Sequence, residues 1–290
     1  MVIRIGLEWI PPFLSSGIRF IVASLLIFLI MKVKKIKLSA DKTSWYLYLF
    51  ITIFAYSLPF GLVYWGEQYI PSGLTSIIFG AYPFFAAIFS HFALADEKTG
   101  REKIIGMVLG LSGLAVIFSE NLSLGYNINL LAISAIFLSS LVQAIVAVGI
   151  KKYGQNLHPL SMNLVPMFIS GIILLIFGAA FEDTEKVVFN ITSISSILFL
   201  AVFGSVIAFT SYFWLLKRTS VVILSMTSFI TPVFAVIAGW LFIGEKLSGR
   251  HLAGSLLVLL GILFANLGGF FLLTLKNRFN FLFTTKTNSD

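Results

Sequence analysis

Long stretches of the chain contain no Asp, Glu, Lys or Arg. They are 43–66, 68–95, 104–119, 121–150, 153–181, 187–216, 219–244 and 251–275, and 11–31 joins them with Arg19 as its single charge. An α-helix needs about 20 apolar residues to cross the hydrocarbon core of a bilayer. The pattern therefore predicts nine transmembrane helices and an all-α polytopic membrane protein. The run 104–119 is short, but Lys103 can extend outward at its end. Composition agrees: 11% of the residues are charged, against roughly 25% in soluble domains. No polar segment is long enough for a soluble domain, and no run has the short core and cleavage site of a signal peptide.

The short gaps set the orientation, because Lys and Arg concentrate on the cytoplasmic side. Alternate gaps hold Lys32, Lys34, Lys35, Lys37 and Lys42; Lys98, Arg101 and Lys103; Lys151 and Lys152; Lys217 and Arg218; and Lys276, Arg278 and Lys286. The opposite gaps hold only Arg4, Lys186, Lys246 and Arg250. This asymmetry predicts a cytoplasmic C-terminus and, with nine spans, an outer N-terminus. The net charge of +8 sits in these gaps and not on a polar domain, so the expected partner is the bilayer and not nucleic acid. The chain has no cysteine, which excludes disulfides and thiolate chemistry.

The sequence also repeats itself. "GAYPFFAAIFSHFALADEK" at 80–98 parallels "FITPVFAVIAGWLFIGEK" at 229–246. Pro83 aligns with Pro232, Phe85 with Phe234 and Trp65 with Trp214 at one offset. One residue later in register, Glu97-Lys98 aligns with Glu245-Lys246, Gly106 with Gly254 and Gly113 with Gly261. The charge pattern puts the two Glu-Lys turns on opposite sides of the membrane, so the halves are inverted. Inverted repeats are typical of alternating-access carriers. Upstream, Gly6 aligns with Gly154, Pro11 with Pro159 and Phe20 with Phe168. The second half has a full span before that stretch, so the plan is ten helices with the first not seen, as 4 + 5. Expected boundaries are 1–118 for the first repeat, 119–126 for an outer connecting loop, 127–273 for the second repeat and 274–290 for a cytoplasmic tail.

"PPFLSSGIRFIVASLL", "GEQYIPSGLTSIIFGAYPFFAAIFS", the "DEK" turn at 96–98 and its "GEK" echo at 244–246 resemble the drug/metabolite transporter superfamily, in its EamA-like ten-helix branch. The resemblance covers nearly the whole chain. It implies a permease of the inner or plasma membrane that exports small organic solutes such as amino acids or their derivatives, with two five-helix halves around a central cavity. The departure is the first helix, which raises the question of where the natural chain starts. The alternative reading is a non-transporting membrane scaffold or an inactive truncated permease. An intramembrane enzyme is not expected, because no paired Asp, Ser-His pair or His cluster falls within a span.

Arg19 is the sharpest single feature. Its Cα lies roughly 12 Å from the helix start at 1.5 Å per residue, and a charge near a helix centre costs about 2.5–3.5 kcal/mol on insertion scales. It reads either as a cation for a substrate carboxylate or a gate, or as a structural arginine that caps carbonyls of a neighbouring helix. Tyr56, Gln143, Asn163, Ser211 and Tyr212 are polar residues in helix interiors and join Arg19 as the expected cavity lining; each is also open to a role as interhelical glue. Trp65 and Trp214 occupy equivalent positions and read as gates or as interfacial aromatics. Pro83 and Pro232 break helical hydrogen bonds and read as hinges. Gly106, Gly110 and Gly113 form a packing face. His91, His158 and His251 have no metal-ligand spacing, so neither a metal nor a cofactor is expected. Glu67, at the outer end of its span, is the one carboxylate placed to carry a proton. Oligomeric state and coupling ion are not legible.

Overall fold

The computed structural model describes residues 2–70, 72–95, 97, 100–122, 129–230, 233–234, 237 and 249–265. The helices are α1 (Val2–Leu7), α2 (Pro12–Val33), α3 (Lys42–Ile51), α4 (Leu58–Gly66), α5 (Ser72–Phe79), α6 (Tyr82–Ala93) and α7 (Arg101–Leu122). The second half supplies α8 (Leu130–Tyr153), α9 (Pro159–Phe181), α10 (Ile191–Phe199), α11 (Ala208–Leu216), α12 (Val221–Ser225) and α13 (Gly249–Ala265). Five continuous helical segments among the described residues are long and apolar enough to cross a membrane: Pro12–Val33, Lys42–Gly66, Leu130–Tyr153, Pro159–Phe181 and Ile191–Leu216. The molecule is an all-α polytopic membrane protein.

Local sequence sets the helix starts. Asp41, Asn129 and Asn190 each accept a backbone N–H in the first turn of α3, α8 and α10, the usual role of short polar side chains there. Pro12 and Pro159 open α2 and α9, where a missing N–H costs nothing. Pro83 lies in the first turn of α6, after a break at Gly80 and Ala81, so the expected span 68–95 is two helices. Among the described residues, Pro166 lies inside α9 and Pro59 inside the continuous segment Lys42–Gly66. Pro232 lies outside the described residues.

Two segments depart from α geometry. Thr52–Ser57 and Leu200–Ile207 are π-helical and join α3 to α4 and α10 to α11 without interruption. They occupy equivalent places in the two repeats. Each packs against the other half: α9 lies on the first and α2 on the second, while α2 and α9 form the most extensive helix pair.

The inversion is visible in α7 and α13. A Cβ on Gly106 would lie 2.5 Å from the Gly261 carbonyl oxygen, and one on Gly254 would lie 2.6 Å from that of Gly113. Applying the repeat equivalence to the first contact produces the second. The helices cross antiparallel, as an axis in the membrane plane requires.

The gaps sort onto two faces. On one, Lys151 Nζ donates to the Thr219 carbonyl (2.9 Å), Lys103 Nζ to Ser220 Oγ (3.3 Å) and Lys217 Nζ to the Leu157 carbonyl (2.8 Å). Glu97 joins them, accepting the Val221 N–H (2.8 Å) and facing Lys151 at 3.7 Å. On the other face, Glu182 accepts the Phe13 and Leu14 N–H groups (2.7 and 2.9 Å), and Val188 N–H donates to the Trp9 carbonyl (2.9 Å). A carboxylate at the start of α2 also opposes the positive end of its dipole.

Candidate functional site

Arg19 projects from α2 into the second π-helical segment. Its Nε donates to Ser205 Oγ (2.9 Å), one terminal nitrogen to the Tyr64 hydroxyl (3.0 Å) and the other to the Gly204 carbonyl (2.9 Å). A Cβ at Gly204 would lie 3.1 Å from that last nitrogen, so glycine leaves room for the fork. The guanidinium carbon also lies 5.5 and 5.2 Å from the Phe20 and Phe60 ring centroids. The side chain is 3% exposed, and no carboxylate lies within 4.0 Å of it among the described residues. Charge is balanced by a carbonyl, two hydroxyls and two ring faces, which suits a weakly hydrated guanidinium better than an ammonium. Three of its five N–H groups are committed.

A second polar group lies one layer away. The Tyr56 hydroxyl donates to Asn163 Oδ1, and Asn163 Nδ2 donates to Thr210 Oγ1 (3.2 Å). Tyr56 and Asn163 are fully buried. Tyr56 stands edge-on to Phe20 (5.2 Å) and Phe209 (5.1 Å), so the group connects to Arg19 through rings. Ser57 Oγ donates to Ser170 Oγ (3.0 Å), which ties the same π-helical segment to α9.

The third group forms a small cavity. The hydroxyls of Tyr82 (α6) and Tyr212 (α11) are hydrogen-bonded, and Gln143 (α8) lines the same space with Phe209. Its volume is about 20 Å³, room for little more than one water. Ala55 and Ile150 close its walls. A solute of metabolite size does not fit this space as it stands.

Of the residues singled out in the sequence, Gln143 and Tyr212 share this cavity. Arg19, Tyr56 and Asn163 stand behind it, separated by the Phe60 and Phe209 rings (5.7 Å apart). Ser211 is not among them; it is exposed. Phe209 and Phe213 define the inward face of α11, and at about 100° per residue Ser211 falls halfway round from it. Tyr82 gives no separate signal in the sequence, where it is one aromatic among several beside Pro83. Ser205 and Gly204 gave no signal beyond a small-residue pair. Trp65 and Trp214 end α4 and α11. Trp65 packs on Tyr69 (5.0 Å) and Trp214 on Arg218 (4.1 Å), one turn further in each case and away from the cavity.

Two inverted helical halves, with buried polar groups from both meeting in an aromatic-walled space, are the architecture of a membrane transporter. Family comparison agrees. The EamA-like transporter family matches residues 1–119 and again 130–267, and this chain belongs to it. The uncharacterized transporter YoaV of Bacillus subtilis is 29% identical over 262 residues, 89% of this chain and 88% of that protein. An uncharacterized transporter of Buchnera aphidicola subsp. Schizaphis graminum is 33% identical over 232 residues, 80% of this chain and 77% of its own length. The uncharacterized inner membrane transporter YedA of Escherichia coli is 28% identical over 251 residues, 85% and 79% of the two chains. A crystal structure at 16% identity superimposes with a TM-score of 0.75 over 89% of this chain and 88% of that one. It shares the fold.

Proposed function

We propose that this transporter exports small organic metabolites, amino acids or their derivatives, across the inner or plasma membrane. Its solute binds between Tyr82, Gln143 and Tyr212. The observation that carries this reading is the convergence of those three side chains, from α6, α8 and α11, in one buried space between the repeats. Two phenols and an amide offer donors and acceptors to amino and carboxyl groups, and the surrounding rings favour an apolar side chain. Arg19 acts from behind Phe60 as a positioning residue: it holds the π-helical segment, and its field favours an anionic group in the cavity. Trp65 and Trp214 are read as interfacial or gating aromatics, and Pro83 and Pro232 as hinges between the open states. The boundaries 1–118 and 127–273 delimit the moving halves, joined by a loop at 119–126.

Outward direction follows the family resemblance. The face that gathers Lys103, Lys151 and Lys217 is taken as cytoplasmic, together with the C-terminal tail at 274–290. The reading is tested by counterflow in proteoliposomes with a panel of amino acids and derivatives. Saturable exchange of at least one solute, lost in Tyr212→Ala and absent from empty vesicles, is the expected result. Absence of exchange for the whole panel, by protein that melts cooperatively, would overturn it.

A further inference from the structure

We propose that the cleft between the α8–α9 turn and the end of α11 binds the phosphate of an anionic phospholipid headgroup. The cleft has a volume of about 560 Å³, and Gln155, Asn156, His158, Trp214, Lys217 and Arg218 line it together with Leu157 and Pro159. No carboxylate lines it among the described residues. That sets it apart from its neighbour on the same face, where Lys151 has Glu97 as a counter-charge. Here Lys217 and Arg218 line the cleft together with no carboxylate beside them among the described residues. Burial, with the charges of Lys217 and Lys34, holds His158 below its usual range; burial, with Arg218, does the same for Lys217. A bound anion relieves that repulsion.

The donors are held in place with capacity to spare. Lys217 Nζ is anchored on the Leu157 carbonyl (2.8 Å), and one Arg218 nitrogen on the Trp214 carbonyl (3.1 Å). The Arg218 guanidinium also lies over the Trp214 ring at 4.1 Å. An ammonium has three donors and a guanidinium five, so each retains donors for phosphate oxygens. His158 Nδ1 accepts the Leu160 N–H (3.1 Å). In the neutral ring its proton therefore sits on Nε2, a further donor.

Depth in the membrane selects the source of the phosphate. Trp214, in the last turn of α11, is 48% exposed, and Tyr153, which ends α8, is 65% exposed. Exposed aromatics at helix ends mark the headgroup level, where lipid phosphates are concentrated. Basic pockets between helix ends bind such headgroups. Inorganic phosphate has the same chemistry without the proximity, and Trp214 and Tyr153 would add nothing to its binding.

The test uses the full chain in vesicles of equal parts phosphatidylglycerol and phosphatidylcholine, with the lipids retained after extraction read by native mass spectrometry. Wild type is expected to retain phosphatidylglycerol preferentially, by about fivefold for each cation engaged. The double variant Lys217→Gln/Arg218→Gln should retain the two lipids equally. Lys217→Arg, which keeps the charge, should preserve the preference, as should Lys37→Gln, outside the cleft. Arg218→Gln alone should lower it, which carries the test if the double variant does not fold. Equal preference in wild type and the Gln variants overturns the proposal. A melting temperature raised by inorganic phosphate, with lipid preference unchanged by the variants, also overturns it and assigns the cleft to a soluble anion.

Discussion

Gly106 and Gly261 cross so closely that a Cβ on either would lie within 2.6 Å of the other's carbonyl oxygen. The neighbouring contacts repeat in mirrored order. Gly106 meets Ala265 N as Gly254 meets Ile117 N, and Gly113 meets Val258 N as Gly261 meets Gly110 N. The crossing is therefore symmetric under the inverted repeat, and neither helix can shift to admit a side chain without moving backbone. Gly106→Val should destabilise the protein by about 1–3 kcal/mol, the usual cost of overpacking. Gly249→Ala should not, since a Cβ there meets nothing within 4 Å. Unfolding midpoints of the two variants in detergent check this pair.

Arg19 offers a sharper test, because its partners lie 186 and 45 residues away in sequence. Arg19→Met leaves the Gly204 carbonyl and the Tyr64 hydroxyl without their donors in a buried site. The expected loss is about 1–3 kcal/mol of stability and more than tenfold of flux, on the order of the 1.4 kcal/mol per decade that links energy to rate. Arg19→Lys keeps the charge but loses the fork, so it should recover stability only in part. Thermal unfolding and counterflow on the same preparations separate the two effects. If flux survives in Arg19→Met at wild-type level, the arginine is not needed to position the cavity.

What could be read in advance was governed by charge and period. Runs free of Asp, Glu, Lys and Arg located the spans, because a desolvated charge is costly. Gly106, Gly113, Gly254 and Gly261 exposed the repeat, because close helix crossings admit no other residue. Partners were harder. Nothing near Arg19 in the sequence points to Gly204, and the π-helical turn that presents its carbonyl has no residue signature. Nothing beside Glu182 in the sequence points to the first turn of α2, 168 and 169 residues away, whose N–H groups it accepts. Ser211 was grouped with Tyr212 by adjacency, although helix geometry turns neighbours away from one another.

The cavity itself makes a prediction about affinity. Tyr212→Phe and Tyr82→Phe each remove one hydroxyl from the pair that closes the space, with the ring retained. Each should raise KM about tenfold, the scale of one hydrogen bond to solute, and each also leaves the other hydroxyl without its partner, at a cost of about 1–3 kcal/mol of stability. Ser211→Ala, on the exposed side of the same helix, should leave KM within about twofold, as expected for a surface change. Concentration-dependent uptake into proteoliposomes measures all three.

The last prediction concerns pH and Glu182. Burial holds its carboxyl above the usual range, against the opposing pull of the Phe13 and Leu14 N–H groups. The folded chain therefore keeps a proton that the unfolded chain has released. Stability from this group is full below its ordinary pKa, near 4.5, and is lost as pH rises through the higher folded value. Glu182→Gln removes that titration. The melting temperature of wild type minus that of the variant should thus decrease as pH rises above the ordinary carboxyl value of 4.5. Asp41 is shifted the other way by its bonds to Ser44, but it is present in both proteins and cancels in the difference. A difference that grows with pH would mean that the ionised carboxylate, through its two amide bonds at the start of α2, outweighs the cost of its burial.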